Sequence, residues 1–194
     1  MPTSKLVFSM SASADGYIND RDGAFAWGAP TEDLFRFHLE RTREVGVCLL
    51  GRRLYETMLV WDTDPSFRET PLEAEFADVW CAIPKVVFSR TLDGVEGNAR
   101  LAEATLADEI AAARAATDMD VAIGGAGLAA EAMTLGLVDE LRLFRYPVVV
   151  GGGTPYFPPV TGDVPLELLE TRAFGGRVVY ERYGRVRDES GAGG

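Results

Sequence analysis

Three stretches of this sequence carry residue types suited to holding phosphate. Gly51-Arg52-Arg53 places two guanidinium groups directly after a glycine, Ser89-Arg90 sets a hydroxyl beside a third, and Gly124-Gly125-Ala126-Gly127 crowds glycines together. Guanidinium forks match phosphate oxygens, and glycines let backbone N–H groups come close to an anion. Arg52 and Arg53 open a helical stretch, where positive charge opposes the helix dipole by a few tenths to about 1 kcal/mol. An anion bound there would offset that cost. The competing reading is that Arg52, Arg53, Ser89 and Arg90 simply face water. Should the two strands that precede them be neighbours, all four would converge on one phosphate. Gly125-x-Gly127-x-x-Ala130 also fits the Rossmann glycine pattern, but it lies late in the chain and no acid ends the following strand. Phosphate binding therefore outranks a true Rossmann domain, with a tight strand–helix turn as the plain alternative.

A second kind of chemistry is offered by Glu32 and Asp33 near Trp27. An acid against an indole wall can be partly desolvated and so serve as a proton donor, or anchor the N–H groups of a heterocycle. The alternative is a pair of acids favoured by a helix dipole. Gly151-Gly152-Gly153-Thr154 resembles a phosphate cradle but runs into Pro155, Pro158 and Pro159, so a substrate-side turn or a plain loop is the better reading. His38, four residues after Leu34, and Met58 with Trp61 read as packing residues.

The elements that must position these groups alternate. Residues 5–13 read as a strand ended by the turn Asp15-Gly16, and a helix capped by Thr31 follows until Gly46. Residues 46–51 are a short apolar run bounded by glycines, as in a buried strand. Residues 52–60 make a short helix. Thr70-Pro71-Leu72-Glu73 is a capping box opening a helix that stops at Pro84, and residues 85–89 form another strand. Thr105 with Asp108 starts a further helix. Residues 120–123 lead as a strand into the glycines and a helix through 135. Residues 140–150 are β-rich, and 167–174 with 178–183, split by Gly175-Gly176, form a terminal hairpin. This order predicts an α/β domain with a mainly parallel sheet, helices on both faces and an antiparallel pair at its end. The domain is expected over residues 1–184, with 185–194 as a mobile tail.

Composition narrows the classes. The 194 residues carry 19 Lys+Arg against 30 Asp+Glu, a net charge of −11, which disfavours a nucleic-acid binder. Two separated cysteines, Cys48 and Cys81, and a single histidine, His38, cannot supply a structural zinc site, so no metal is expected. A Ser–His–Asp triad lacks its nucleophile elbow. With no apolar run of membrane-spanning length and no signal-like start, a cytoplasmic protein without membrane partners is expected.

Taken in order, Ser13-x-Asp15-Gly16-x-Ile18, Trp27-x-x-Pro30 with an acid-led helix, Gly51-Arg52-Arg53-x-Tyr55, Ser89-Arg90, Gly124-Gly125-Ala126-Gly127 and Gly153-Thr154-Pro155-Tyr156-Phe157-Pro158 resemble the dihydrofolate reductase superfamily. The Ser-x-Asp-Gly opening and the Gly-Gly-x-Gly-Leu turn are more similar to the reductase domain of the bacterial riboflavin-pathway deaminase–reductase and its stand-alone relatives. The resemblance covers about residues 4–184. It implies a dihydrofolate reductase-like three-layer fold with about eight strands and NADPH in an extended cleft. By that likeness Gly51, Arg52, Arg53, Ser89 and Arg90 would meet the ribose 2′-phosphate, and Gly124, Gly125, Ala126, Gly127 and Leu128 the pyrophosphate. Ser13, Asp15 and Ile18 would lie towards the nicotinamide. Glu32 and Asp33 compete for the substrate-anchoring acid, because this chain has one extra residue after Trp27 and Pro30. Trp27, Trp61, Tyr156 and Phe157 are expected on the substrate side.

The deaminase zinc motif does not occur in this sequence. The resemblance implies an NADPH-dependent oxidoreductase, similar to 5-amino-6-(5-phosphoribosylamino)uracil reductase, that passes a hydride to a C=N or C=O carbon of a small heterocyclic or sugar-linked substrate, and a homodimer. A non-catalytic NADP(H)-binding sensor and an NAD-linked Rossmann dehydrogenase are the rival readings.

Overall fold

Val47 and Leu49 pack on one face of the sheet while Cys48 and Leu50 pack on the other, the alternation of a strand buried on both sides. This strand, β2 (Val45–Gly51), lies inside the eight-stranded sheet of the computed structural model, which describes residues 4–187. The other strands are β1 (Leu6–Ser13), β3 (Lys85–Phe88), β4 (Ala99–Leu101), β5 (Asp120–Gly124), β6 (Glu140–Tyr146), β7 (Leu166–Phe174) and β8 (Val178–Arg185). Their order is β4-β3-β2-β5-β1-β6-β8-β7. All pairings from β4 to β6 are parallel, and β8 with β7 closes the sheet antiparallel.

Helices cover both faces. On one side α1 (Glu32–Thr42), α2 (Arg52–Met58), α3 (Val60–Thr63) and α4 (Pro71–Ala82) bury Leu39, Tyr55, Phe76 and Trp80 against Cys48, Leu50 and Val87. Leu34 and Phe37 of α1 continue that layer over Phe144, Phe174 and Tyr180. On the other side α5 (Leu106–Ala116) and α6 (Ala126–Thr134) pack Leu106, Ile110 and Ala129 against Leu6, Phe8 and Ile123. The expected layered α/β fold, with a mostly parallel sheet and an antiparallel end, is what the chain adopts.

Local chemistry explains most boundaries. Thr70 and Glu73 exchange both bonds of a capping box, with Pro71 at the first helical position. Gly175 and Gly176 adopt φ of 55° and 66°, the left-handed pair that a tight hairpin turn requires. Some expectations shift. Thr31 does not cap α1; its hydroxyl donates to the Asp33 carboxylate instead. Gly46 does not end that helix, which stops at Thr42; it lies inside β2 at a register shift, where the Thr117 side chain leaves no room for a Cβ. The β-rich stretch of 140–150 is strand only to Tyr146, and Pro147 follows. The three-residue β4 escapes the sequence reading because it is too short to show alternation. Arg185 belongs to β8, and Arg187 pairs with Asp139, so ordered backbone continues past 184. The rest of the expected tail, 188–194, lies outside the described residues.

Candidate functional site

The parallel strands β1, β2, β3, β5 and β6 all end on one edge of the sheet, the position where open α/β sheets bind ligands. Register places Leu50 opposite Gly124 and Gly51 opposite Phe88, so the ends of β2, β3 and β5 are neighbours. There Gly51 and Gly125 touch: a Cβ on Gly125 would lie 3.5 Å from the Gly51 Cα and nitrogen. Gly125 has φ of 98°, a conformation that favours glycine, and caps α6 without any side-chain bond. Space is open above Gly127. The first N–H groups of α6 are thus left for an outside acceptor. Gly51 likewise caps α2 without a side-chain bond, but α2 has only seven residues, so positive charge at that end comes from its arginines rather than from a long dipole.

Those arginines divide in two. Arg52 donates from Nε to Glu56 (2.8 Å) and from a terminal nitrogen to Thr91 Oγ1 (2.7 Å). Thr91 belongs to the turn after β3, in which Ser89 Oγ accepts from the N–H groups of Thr91 (3.2 Å) and Leu92 (3.1 Å). Arg52 therefore latches α2 to the Ser89 turn. Arg53 and Arg90 are exposed, and neither side chain has a hydrogen-bond partner among the described residues. Uncapped amides, two unpaired guanidinium groups and the Ser89 hydroxyl on one edge suit a ligand with separated phosphate groups. The condition set by the sequence, that the strands before Arg52 and Ser89 be neighbours, is met.

At the end of β1, Ser13 and Asp15 are occupied by the protein itself. Ser13 Oγ accepts from the Tyr17 N–H (3.0 Å) and donates to Asp15 (2.6 Å). Asp15 in turn accepts from the N–H groups of Gly151 (2.8 Å) and Val150 (3.2 Å). The Ser13 hydroxyl, with those amides, holds the Asp15 carboxyl below its usual range. Asn19 accepts from the Thr154 N–H (2.9 Å), and Ile18 donates its N–H to the Thr154 carbonyl (2.8 Å). The loop after β1 is thus stitched to the glycine-rich loop after β6. Ser13 is wholly buried, which removes its side chain from ligand contact and corrects that part of the expectation.

A groove of about 760 Å³ opens between the N-terminal ends of α1 and α4. Phe35, Trp61 and Phe67 form its wall, with Phe35 and Trp61 stacked at 5.8 Å and Phe67 edge-on to Trp61 at 5.0 Å. Glu32 lies on the groove and pairs with Arg36 (2.9 Å). Asp33, one residue on, does not line the groove, and the Arg172 charge acts on it from β7. The Thr31 hydroxyl, chiefly, pulls its carboxyl below the ordinary value; Asp33 is exposed and ionised, so the expected desolvated proton donor is not formed. Trp27 packs edge-on to Tyr146 at 5.6 Å, with its indole N–H buried and unpaired among the described residues. Trp61 lines the groove. Tyr156 does not: it is 1% exposed, its ring tilted against that of Phe8 at 4.7 Å, with its hydroxyl 3.3 Å from the carbonyls of Phe8 and Arg142, so it is core. Phe157 beside it is exposed.

Residues absent from the sequence reading include Thr91, Phe35 and Phe67. Ser89-x-Thr91 has the spacing of a hydroxyl-capped turn, a signal that was available. Phe35 and Phe67 join only when three helices dock. Among the described residues no helix is long and apolar enough to cross a membrane, and no group of side chains could hold a metal ion.

Comparison with known proteins gives consistent findings. The family model described as RibD C-terminal domain matches residues 4–180. The sequence is 28% identical over 177 residues to the uncharacterized protein YyaP of Bacillus subtilis (strain 168), covering 90% of this chain and 92% of that protein. The fold is similar to that of a putative riboflavin biosynthesis protein from Shewanella sp. PV-4, with a TM-score of 0.73 and 25% identity over 95% of this chain and 99% of the other. It is also similar to a dihydrofolate reductase from Enterococcus faecalis complexed with NADP(H), with a TM-score of 0.63 and 18% identity over 95% and 98% of the two chains. That second likeness is one of fold.

Proposed function

The chain belongs to the RibD C-terminal domain family, and from that premise we propose that it is an NADPH-dependent reductase whose cofactor lies along the carboxyl edge of the sheet. The observation that carries this reading is the contact of Gly51 with Gly125 beside the unpaired Arg53 and Arg90. The open amides of residues 124–128 hold the pyrophosphate. Arg53, Arg90 and the Ser89 hydroxyl hold the 2′-phosphate, with Arg52 fixing the turn that carries Ser89. Ile18 and the backbone of the stitched loop after β1 border the nicotinamide.

NADPH, when bound, supplies a hydride. The protein's own work is to align the acceptor carbon and to keep water from it. The acceptor is a C=N or C=O carbon of a small heterocyclic or sugar-linked molecule. Glu32, on the groove, anchors that molecule through its N–H groups. Ionised Asp33 has no proton to give, so the proton that completes the reduction comes from solvent.

The test is steady-state oxidation of NADPH and of NADH by the purified protein across heterocyclic imines and ketones. Turnover with a strong preference for NADPH supports the reading; equal use of both cofactors, or no binding of NADPH by calorimetry, overturns it. Two copies pair through β7, an edge strand that exposes Leu168 and Leu169 by 55% and 44%. Sedimentation of the protein and of Leu169→Glu reads that pairing.

A further inference from the structure

We propose that Ser9 and His38 hydrogen-bond the nitrogen or oxygen of the C=N or C=O group that is reduced, over β1 and between α1 and α2. This rests on the reductase reading and names the side chains that act on the reacting group.

β1 lies inside the sheet, yet Ser9 is exposed and Ser11 half-buried. Two features open that space. β1 pairs with β5 only from Leu6 to Phe8, against Val121 to Ile123, and from Ser9 onward only β6 runs beside it. The gap therefore begins at Gly124, one residue before the Gly51–Gly125 contact, and is continuous with the edge that carries the open amides. Above the sheet, α2 covers β5, where the Leu54 side chain fills the place of a Cβ on Gly124, and α1 covers β6 with Leu34 and His38 over Phe144. Neither helix buries Ser9. Towards the strand starts the gap meets Arg142, opposite Ser9 in the β1–β6 register, whose guanidinium is already engaged by Glu140, Glu44 and Asp120.

Two polar groups are left without partners in this space. The ring nitrogens of His38 and the Ser9 hydroxyl have no hydrogen-bond partner among the described residues, and His38 keeps part of its surface exposed. Phe144, 4.2 Å from the His38 ring, is opposite Ser11, two residues along the same face from Ser9. Burial holds the His38 pKa down at about 4, so at neutral pH the ring is uncharged and donates one N–H. When the hydride joins the acceptor carbon, the π electron pair moves onto the nitrogen or oxygen. The cofactor loses the two electrons that the acceptor gains, and the heteroatom takes its proton from solvent. Donors fixed at that atom, in a cleft with little water, stabilise the charge as it develops.

His38 is the only histidine of the chain, so 15N-histidine labelling gives one ring. The whole protein, saturated with NADP+ so that no turnover occurs, is titrated with cyclohexanone and with methylenecyclohexane, which differ by one oxygen against one CH2. The ketone is expected to shift the His38 ring nitrogens saturably and to bind about three- to tenfold tighter than the hydrocarbon, the range of one hydrogen bond. Ser9→Ala is expected to remove most of that difference, and Ser9→Thr to retain it. With the fastest acceptor of the NADPH assay, His38→Phe, which keeps a ring on Phe144, is expected to lower kcat by about 10- to 100-fold with little change in KM. Absence of NADPH binding, or of any turnover, sinks the reductase reading. With both present, an unmoved His38 resonance, equal binding of the two probes, indifference to Ser9→Ala or an unchanged kcat in His38→Phe overturns the assignment of Ser9 and His38 alone.

Discussion

Gly51 and Gly125 stand face to face at the ends of β2 and β5, with 3.5 Å between the Gly51 Cα and the place a Cβ would take on Gly125. Two helix starts share that point, one bringing arginines and the other bare amides. A side chain at 125 would be forced into φ of 98° and would cover those amides. Gly125→Ala is therefore expected to cost about 1–2 kcal/mol of stability and to weaken NADPH by tenfold or more, about 1.4 kcal/mol. Calorimetric titration at a temperature well below the melting point separates the two effects. Unchanged NADPH affinity in a folded variant would remove the glycine turn from the cofactor site.

The division among the arginines gives a sharper test. Arg53 and Arg90 have no side-chain partner among the described residues, while Arg52 holds Glu56 and Thr91. Replacing Arg53 and Arg90 together by Ala is expected to weaken NADPH by about 10²- to 10⁴-fold and NADH little, since each charge-assisted bond to a phosphate contributes about 1.5–3 kcal/mol and two are lost. Arg52→Ala loosens the Ser89 turn and is expected to lower NADPH affinity less. Binding constants for both cofactors in each variant decide it; a uniform loss for NADPH and NADH would sink the 2′-phosphate assignment.

The carboxyl edge was legible in the sequence because its chemistry is local. Glycines and arginines beside strand ends announce themselves within five residues, and the order of those stretches added the rest. The groove was not legible, because Phe35, Trp61 and Phe67 come from three separate helical pieces that acquire meaning only when docked. The choice between Glu32 and Asp33 was hidden for a different reason: one residue along a helix turns the side chain by about 100°, so an uncertain start to α1 leaves the face undetermined. Tyr156 misled because proline-flanked aromatics read as a loop surface, whereas the bond from its N–H to the Gly16 carbonyl folds it back into the core.

His38 gives the fold a pH limit. Its ring lies 4.2 Å from that of Phe144, and burial there pulls its pKa from 6.5 down to about 4. The unfolded chain binds a proton below pH 6.5 while the folded chain stays neutral until about 4, so stability is lost as pH falls through that window. The loss is at most about 3 kcal/mol. His38→Leu keeps the packing without the titration, and is expected to flatten the dependence of stability on pH between 6.5 and 4. Urea denaturation of both proteins at a series of pH values measures the difference; parallel curves would mean that His38 titrates normally.

At the opposite edge of the sheet, Glu140 holds a cross-strand pair of like charges together. Arg142 and Arg182 are directly opposite in the β6–β8 register, and Glu140 accepts from the Nε of each at 2.7 Å while Lys5 approaches at 3.2 Å. Burial pushes the Glu140 carboxyl up, but Arg182 and Arg142 outweigh it and hold it at about 2. Its charge therefore stabilises the fold above about pH 4.5 and ceases to do so as pH falls towards 2. Glu140→Gln leaves two facing guanidinium groups without their shared carboxylate, and Arg142 is buried, so a loss of about 3–5 kcal/mol is expected at neutral pH. Because Glu140 opens β6 while the proposed cofactor site lies at the other ends of the strands, NADPH affinity in the folded fraction is expected to stay as it was. Denaturant titration and calorimetry on one preparation read both quantities. A loss below about 1 kcal/mol would show that Glu44 and Asp120, each 3.1 Å from Arg142, suffice to hold the pair apart from solvent.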